Sequence, residues 1–591
     1  MNPPGGECSQ LPPLATTWRG RQSWRLLVTR FEPGLHFLKT WQAWRNDPQR
    51  PQHLHYVGLS HTPPSFDGLL AQASTHPQLM LLAKELAPRW HELRSGFHRF
   101  TLERGHLLLT LCVGELIPTL KEQSFRADDV FLDTSPCPAA APDWSRWTAK
   151  ALARCCRRGT GLTVAGDVTS VRTDLTQCGF EFQAPASDDP DTHHSSLLHG
   201  QFNPRWALRA QEVASNARAA QPGTCAVVGA GLAGASVAAA LARRGWQVQV
   251  FDQANEPAAG ASGLPVGLVV PHVSVDDCPL SRLSRAGVSL MLHEARALLQ
   301  EGEDWAPSGT LERCFDGDSP LPDLWHPQAA WLKPGQLVRA WLAQPGIVFR
   351  GASQVTALRP TGTQWELLDE QGQGLACADR VVLANACGVS QLLTALQTSH
   401  PCVATQTHHL PTLHGLRGQV SWAWHEHVQG AAFPPHPVNG AGSVIPGIPW
   451  VGGKAWFVGA TYQPQEQLES ADDVNHAANR ARVQRLLPAL DQFLAPAFTH
   501  GQVNAWKHTR CVTADRLPVV GPVVGPVNET GHPGLWICAG MGSRGLSFSV
   551  LCAELLAAQW GDEPWVIEAR LARLLTALRS THPASGPMGP A

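Results

Sequence analysis

Residues 225–252 read CAVVGAGLAGASVAAALARRGWQVQVFD, and this stretch decides the fold of the larger part of the chain. Cys225–Val228 is a short β-prone run. It leads into Gly229-Ala230-Gly231-Leu232-Ala233-Gly234 and then ASVAAALARRG, a strong helix former that stops at Arg243, Arg244 and Gly245. Trp246–Asp252 alternates as a strand and ends in an acid, 21 positions after Gly231. Strand, glycine turn, helix, strand and carboxylate in this order have the spacing of a dinucleotide-binding unit. Gly229 permits the tight turn, Gly231 lets the backbone approach a pyrophosphate, and Gly234 allows close helix–strand packing. The helix N-terminus faces the phosphates, and Asp252 accepts from a ribose. Cys225–Ala242 is also 18 uncharged residues long, but its Gly and Ala content and its glycine spacing argue against a membrane span.

The rest of the composition bounds the class. A chain of 591 residues predicts about three to five compact units. Hydrophobic residues reach 43% and charged ones only 16%, which excludes charge-driven disorder over most of the length. With 46 basic and 48 acidic side chains the net charge is −2, so no global electrostatic footprint for nucleic acid exists. Arg19, Arg21, Arg25 and Arg30, and again Arg154, Arg157 and Arg158, are candidate local basic faces, more simply read as solvated surface. The 15 Cys residues are never spaced as CxxC, and His408–His409 and His425/His427 lack metal-binding partners, so no metal site is expected. MNPPGGECSQLPP has neither the basic nor the apolar region of a signal peptide, which predicts a cytoplasmic protein.

A polar, Pro- and Ala-rich stretch over Gln183–Thr224 divides the chain into a first domain over 1–199, a linker over 200–224 and a second domain over 225–591. Ser580–Ala591 reads as a disordered fringe. Beyond the glycine turn come Gly260-Ala261-Ser262-Gly263, the buried strand RVVLANA (Arg380–Ala386), TRCVTADRLPVVGPV (Thr509–Val523) and ICAGMGSRGLSFSVLCAELLAAQ (Ile537–Gln559). The GSRG turn opens a second helix whose N-terminus can approach a flavin. A cofactor site is therefore expected from about 225–275, 335–400 and 505–575, with a substrate domain built from the intervening segments.

These segments, with GLRGQVSW (Gly415–Trp422) and FVGATY (Phe457–Tyr462), resemble the FAD-dependent amine oxidases of the D-amino-acid oxidase and glycine oxidase type. More closely, they are similar to the oxidoreductase half of the bifunctional tRNA 5-methylaminomethyl-2-thiouridine biosynthesis proteins. The resemblance implies FAD held by Gly229, Gly231, Gly234, Asp252, Ala261, Ser262, Gly263, Gly542, Arg544 and Gly545. It implies removal of the carboxymethyl group from 5-carboxymethylaminomethyl-2-thiouridine at the tRNA wobble position, with Arg510 as the cation for the substrate carboxylate. Tyr462, one of only two tyrosines, has two readings, a wall position near the site and, more simply, core packing. A small-amine or amino-acid oxidase with a non-catalytic N-terminal domain is the alternative.

The first domain carries FEPGLHFLKTWQAWR (Phe31–Arg45), LHYVGLSHTPPS (Leu54–Ser65), CVGELIPTL (Cys112–Leu120) and DDVFLD (Asp128–Asp133) in order. It resembles the same family's S-adenosyl-L-methionine-dependent methyltransferase domain. The fold expected is α/β: a Rossmann-like methyltransferase domain, then an FAD-binding Rossmann domain with an interleaved mixed-sheet substrate domain. Gly34, Gly114 and Glu115 are the expected methyl-donor contacts and Asp133 the expected catalytic residue. Departures from the family pattern are concentrated here. Of a Glu-x-Gly-x-Gly-x-Gly loop, Val28–Gly34 keeps only Gly34; Ser60 stands where an acid should hold the ribose; the basic segment due after CGFEF is replaced by QAPASDDPDTHH. Together these read as a decayed site. Two readings stay open: a fold kept for tRNA docking or for supporting the oxidase half, and retained methyl transfer.

Overall fold

The computed structural model describes residues 17–90, 93–134, 144–166, 168–182, 197–206, 221–317, 319–401, 410–428, 430, 432–523, 534–577 and 579. QAPASDDPDTHH, most of the expected linker, His408–His409 and the tail from residue 580 lie outside the described residues. The chain forms two compact units, Met1–Ala220 with Ala558–Arg570, and Gln221–Ala557 with Leu571–Ala591.

The first unit is built on β1 (Ser23–Val28), β2 (His53–Ser60), β3 (Gly96–Leu102), β4 (Leu107–Val113), β5 (Ala127–Asp133), β6 (Cys156–Ala165), β7 (Phe180–Phe182) and β8 (Leu198–Phe202). They form one sheet in the order β3-β4-β2-β1-β5-β6-β8-β7. The central strands β4, β2, β1, β5 and β6 are parallel. Their near-continuous apolar runs, such as LLLTLCV in β4, are buried throughout, as a sheet covered on both faces requires. β1 lies between β2 and β5, so the chain winds outward in both directions from it and a crevice opens at its C-terminal end. The helix Leu35–Asn46 buries Phe37, Leu38, Trp41 and Trp44 on one face; the Trp41 indole donates to Glu103 Oε1 at 2.6 Å and that of Trp44 to Pro51 O at 2.9 Å.

Three expectations change here. Arg25 is buried and donates from Nη2 to Gly561 O at 2.8 Å, and both Arg25 and Arg157 pair with Asp128, so neither belongs to a solvated basic face. A charge away from water needs such partners. Residues 200–202, expected in the linker, lie in β8, which pairs antiparallel with β6 and β7. Phe202, the apolar residue that the polar composition around it hid, packs on Phe180 at 5.1 Å between ring centroids. Ala558–Arg570, expected with the second domain, groups with the first unit.

In the second unit, β9 (Thr224–Val228) pairs in parallel with β10 (Gln247–Phe251) on one side and Arg380–Leu383 on the other. Ile347–Arg350 and Leu535–Ala539 extend the parallel sheet, and Val519–Pro522 closes one edge antiparallel. A mixed sheet interleaves with it in sequence: the long strand Leu413–Trp424 pairs antiparallel with Gly453–Gly459 and with Asn504–Thr513. Side chains alternate across this sheet. Val420, Ile445, Ile448 and Phe457 pack with Val266 and Trp331 on one face. Ala423, Val444, Trp456 and Val458 pack on the other with residues of the helices Asp472–Leu486 and Pro488–Thr499. No helix among the described residues is long and apolar enough to cross a membrane.

His36, at the start of the helix Leu35–Asn46, meets Tyr56 Oη at 3.0 Å through Nδ1, while its buried Nε2 has no hydrogen-bond partner among the described residues. Burial first, and Lys39 second, pull its pKa from 6.5 down to about 3. The folded state therefore holds the imidazole neutral. This contribution to stability is fully present above pH ~6.5, the unfolded value, and is lost as pH falls toward ~3. Between pH 7 and pH 5 it amounts to about 2 kcal/mol. Urea unfolding of the first unit at the two pH values should show that loss in the native chain, and His36→Asn should remove this share of it.

Candidate functional site

The turn after β9 brings the expected glycines together at the N-terminus of the helix Leu232–Ala242. Gly229 has φ 106°, and a Cβ there would lie 2.7 Å from Ala384 O on the neighbouring strand end. A Cβ on Gly234 would run into Gly229 O, so the helix seats on the turn only because that atom is missing. A Cβ on Gly231 would come 2.8 Å from Ser262 Oγ. Ser262, in the 3₁₀ turn Ala261–Gly263, accepts from Leu232 N at 2.9 Å and so satisfies one amide of the helix end. Asp252 accepts from Ala230 N at 2.7 Å through Oδ2 and from Ala254 N at 2.9 Å through Oδ1, tying the glycine turn to the loop after β10. Each carboxylate oxygen keeps a further lone pair for a ribose hydroxyl. The 3₁₀ turn Gly542–Arg544 opens the helix Gly545–Gly561, and a Cβ on Gly545 would touch Leu232 Cδ1 at 3.4 Å, so two helix N-termini converge. A cradle that Cβ atoms would fill, with amides at its rim, fits a flavin dinucleotide.

Arg510 is presented by the strand Asn504–Thr513, opposite Leu416 in the antiparallel register. Its guanidinium carbon sits 4.7 Å from the Tyr462 ring centroid. Gly418 leaves room for the fork, since a Cβ there would be 2.5 Å from Nη2. Nη1 is buried and has no hydrogen-bond partner among the described residues. Tyr462 is thus the floor beneath Arg510 rather than core packing. His508 and Trp506 share the face of Arg510 two and four residues back along the strand, with ring centroids 5.1 Å apart. Burial pulls the Arg544 pKa down, while Tyr462 and Glu312 oppose that effect. His272 is lowered by burial and then by the Arg544 charge, and its Nδ1 meets Ser281 Oγ at 2.9 Å. Glu312 and His272 carry no motif of their own; only folding brings them near Arg544.

The first unit gathers its expected residues at the C-terminal edge of the sheet. Gly34 has φ 86° at the head of its helix, and Gly114, with φ 155°, donates from N to Ser60 O at 2.8 Å. Glu115 follows as an exposed residue in front of the helix Leu116–Lys121. Asp133 ends β5; its N donates to Thr29 Oγ1 at 3.2 Å and its carboxylate lies 4.0 Å from Arg30. Ser60 Oγ donates to Glu32. Carboxylates of Glu32, Glu115 and Asp133 along one edge, with two glycines in left-handed backbone, fit a cationic nucleoside donor. Among the described residues, no three His, Cys, Asp or Glu side chains assemble as a metal site.

The family described as FAD dependent oxidoreductase matches residues 224–321 and 319–559, and that described as S-adenosyl-L-methionine-dependent methyltransferase matches residues 77–187. The tRNA 5-methylaminomethyl-2-thiouridine biosynthesis bifunctional protein MnmC of Albidiferax ferrireducens is 57% identical over 578 residues, covering 96% of this chain and 94% of its own. The protein of the same name from Polaromonas sp. is 42% identical over 603 residues, covering 95% and 92%. Among solved structures, glycine oxidase from Geobacillus kaustophilus aligns with a TM-score of 0.48 at 18% identity, covering 61% of this chain and 99% of that one.

Gly234→Ala places a methyl group against backbone that has nowhere to retreat, pushing the helix off the turn. The purified variant should lose most of its flavin, read as visible absorbance per protein, and should unfold at lower temperature than the native chain.

Proposed function

The chain belongs to the family of tRNA 5-methylaminomethyl-2-thiouridine biosynthesis bifunctional proteins, and we propose on that premise that it modifies the wobble uridine of tRNA in the cytoplasm. It joins an FAD-dependent oxidoreductase acting on a CH–NH group to an S-adenosyl-L-methionine-dependent methyltransferase. The second unit removes the carboxymethyl group of 5-carboxymethylaminomethyl-2-thiouridine, leaving 5-aminomethyl-2-thiouridine. The first unit then methylates the amine so exposed.

The observation that carries the reading is the buried Nη1 of Arg510, which has no hydrogen-bond partner among the described residues. A guanidinium nitrogen withdrawn from water, on a half-buried arginine and without an acceptor among the described residues, is a place for a carboxylate, which the fork receives through two parallel hydrogen bonds. The substrate side chain is a secondary amine bearing –CH2–COO⁻. Fixing its carboxylate on Arg510 fixes the methylene beside it, which is the carbon to be oxidised. Gly418 keeps the space beside the fork open, and the Tyr462 ring holds the guanidinium plane. The cations of Arg510 and Arg544 disfavour a protonated substrate amine, so the nitrogen keeps the lone pair that expels hydride from the methylene. The glycine turn, Asp252 and the Ala261–Gly263 turn are the residues that would hold FAD, which when bound would supply the two-electron acceptor for that hydride. The resulting imine takes up water and breaks at its C–N bond, releasing glyoxylate and the free aminomethyl group.

In the first unit Gly34, Gly114, Glu115 and Asp133 are the residues that would hold S-adenosyl-L-methionine and the incoming amine. The donor supplies a methyl group as a cation equivalent.

Arg510→Ala should lower carboxymethyl removal by roughly a hundredfold or more while leaving flavin bound, because one partner of a desolvated charge pair is gone. Arg510→Lys, which keeps the charge and loses the fork, should fall between. Mass spectrometry of the wobble nucleoside, after incubating modified tRNA with and without S-adenosyl-L-methionine, reads both reactions. Normal turnover by Arg510→Ala would place the carboxylate elsewhere, and peroxide release on free sarcosine with no response to tRNA would favour a small-amine oxidase.

A further inference from the structure

A doubly wound sheet places a ribose-binding acid at the end of the strand next to its first one. The second unit obeys that rule with Asp252 after β10, and the first unit breaks it with Ser60 at the end of β2. A carboxylate nevertheless stands at that place. Ser60 Oγ, itself buried, is shared between Glu32 Oε1 and the carbonyl of Thr62. Glu32 comes from the loop after β1, and its Oε2 has no hydrogen bond among the described residues. The side chain is half-buried.

The loop that carries Glu32 is fixed from both sides of its own chain. Phe31 N donates to Leu59 O at 2.7 Å, and Gly34 N donates to Phe31 O at 2.6 Å. The Phe31 ring is buried and stacks on Trp90 at 5.9 Å, with Phe37 and Tyr56 at 6.3 and 6.4 Å. Glycine at 58 makes room for it, since a Cβ there would lie 2.6 Å from Phe31 Cδ2. Ser60 O also accepts from Gly114 N, which sets Glu32, Ser60 and Gly114 side by side at the sheet's open edge.

We propose that Glu32 is the ribose-binding carboxylate of the methyl-donor site, moved from the end of β2 to the loop after β1, with Ser60 as the residue that positions it. This rests on the methyl-donor reading given above. A carboxylate with one oxygen held by the protein and the other unengaged can accept from the vicinal hydroxyls of a ribose, as a strand-end acid does.

The test uses the full chain with flavin bound and reads binding of S-adenosylhomocysteine by calorimetry. Glu32→Gln keeps shape and the Ser60 contact but loses the charge; it should weaken binding by about tenfold or more. The swap Glu32→Gly with Ser60→Glu should recover most of that loss. With the 2′,3′-dideoxyribose counterpart of the probe, native chain and Glu32→Gln should bind alike. Unchanged or tighter binding by Glu32→Gln, with the native chain binding normally, overturns the assignment alone. Absence of binding by the native chain overturns the methyl-donor reading and this assignment with it. Flavin content and the thermal transition show that each variant is folded.

Discussion

The second unit depends on a single steric allowance, the missing Cβ at Gly234, where the helix Leu232–Ala242 rests against Gly229 O. From that contact the rest of the cofactor side follows. The helix lies flat on the parallel sheet because most of its residues are small: eight of its eleven are Ala, Gly or Ser, and it is buried all round from Ala233 to Leu241. Its N-terminal amides then emerge at the point where β9 is flanked by β10 and Arg380–Leu383. Ser262 covers one of those amides and Asp252 ties down the turn. An N-terminus so placed carries about half a positive charge toward the phosphates.

What was legible in the sequence was what is local in it. The glycine turn, its helix, β10 and Asp252 lie within 28 residues, so spacing alone carries the geometry. The GSRG turn was readable for the same reason. Arg510 is reachable only through the family resemblance, because its surroundings come from separate segments: Gly418, on the neighbouring strand, and Tyr462, in the connection after Gly453–Gly459, are 92 and 48 positions away. Tyr462 stays ambiguous in sequence for that reason: a tyrosine after a strand reads as packing or as a wall of the site until the guanidinium above it is seen. β8 was partly assigned to the linker because strand pairing through backbone hydrogen bonds leaves no mark on composition. Arg25 and Arg157 looked like surface because their shared counter-charge, Asp128, lies far from one of them in sequence.

The two units solve one problem by different routes. Each has a parallel sheet that winds outward from a central strand and opens a crevice at its C-terminal edge. In the second unit the motif residues stand where the general rule puts them. In the first, the loop after β1 carries Arg30 and Glu32 where the pattern has glycines, and each meets a residue at a strand end: Arg30 approaches Asp133, and Glu32 meets Ser60. Loss of a sequence pattern is therefore not the same as loss of the functional groups. The backbone turn has been rebuilt around an aromatic side chain, and polar groups still line the edge.

Phe31 can be followed one step further. Its ring occupies space that Gly58 and Gly34 leave empty, and a Cβ at either glycine would come within 2.7 Å of Phe31 or of Leu69. The three positions are therefore not independent characters. A descendant that acquires alanine at 58 must first shrink the residue at 31, whereas one that shrinks 31 first leaves a void and weakens the hold on the loop. The order in which such substitutions can accumulate is constrained, and chains of this lineage should change these positions in concert, while the solvent-facing residues of the neighbouring helix drift freely.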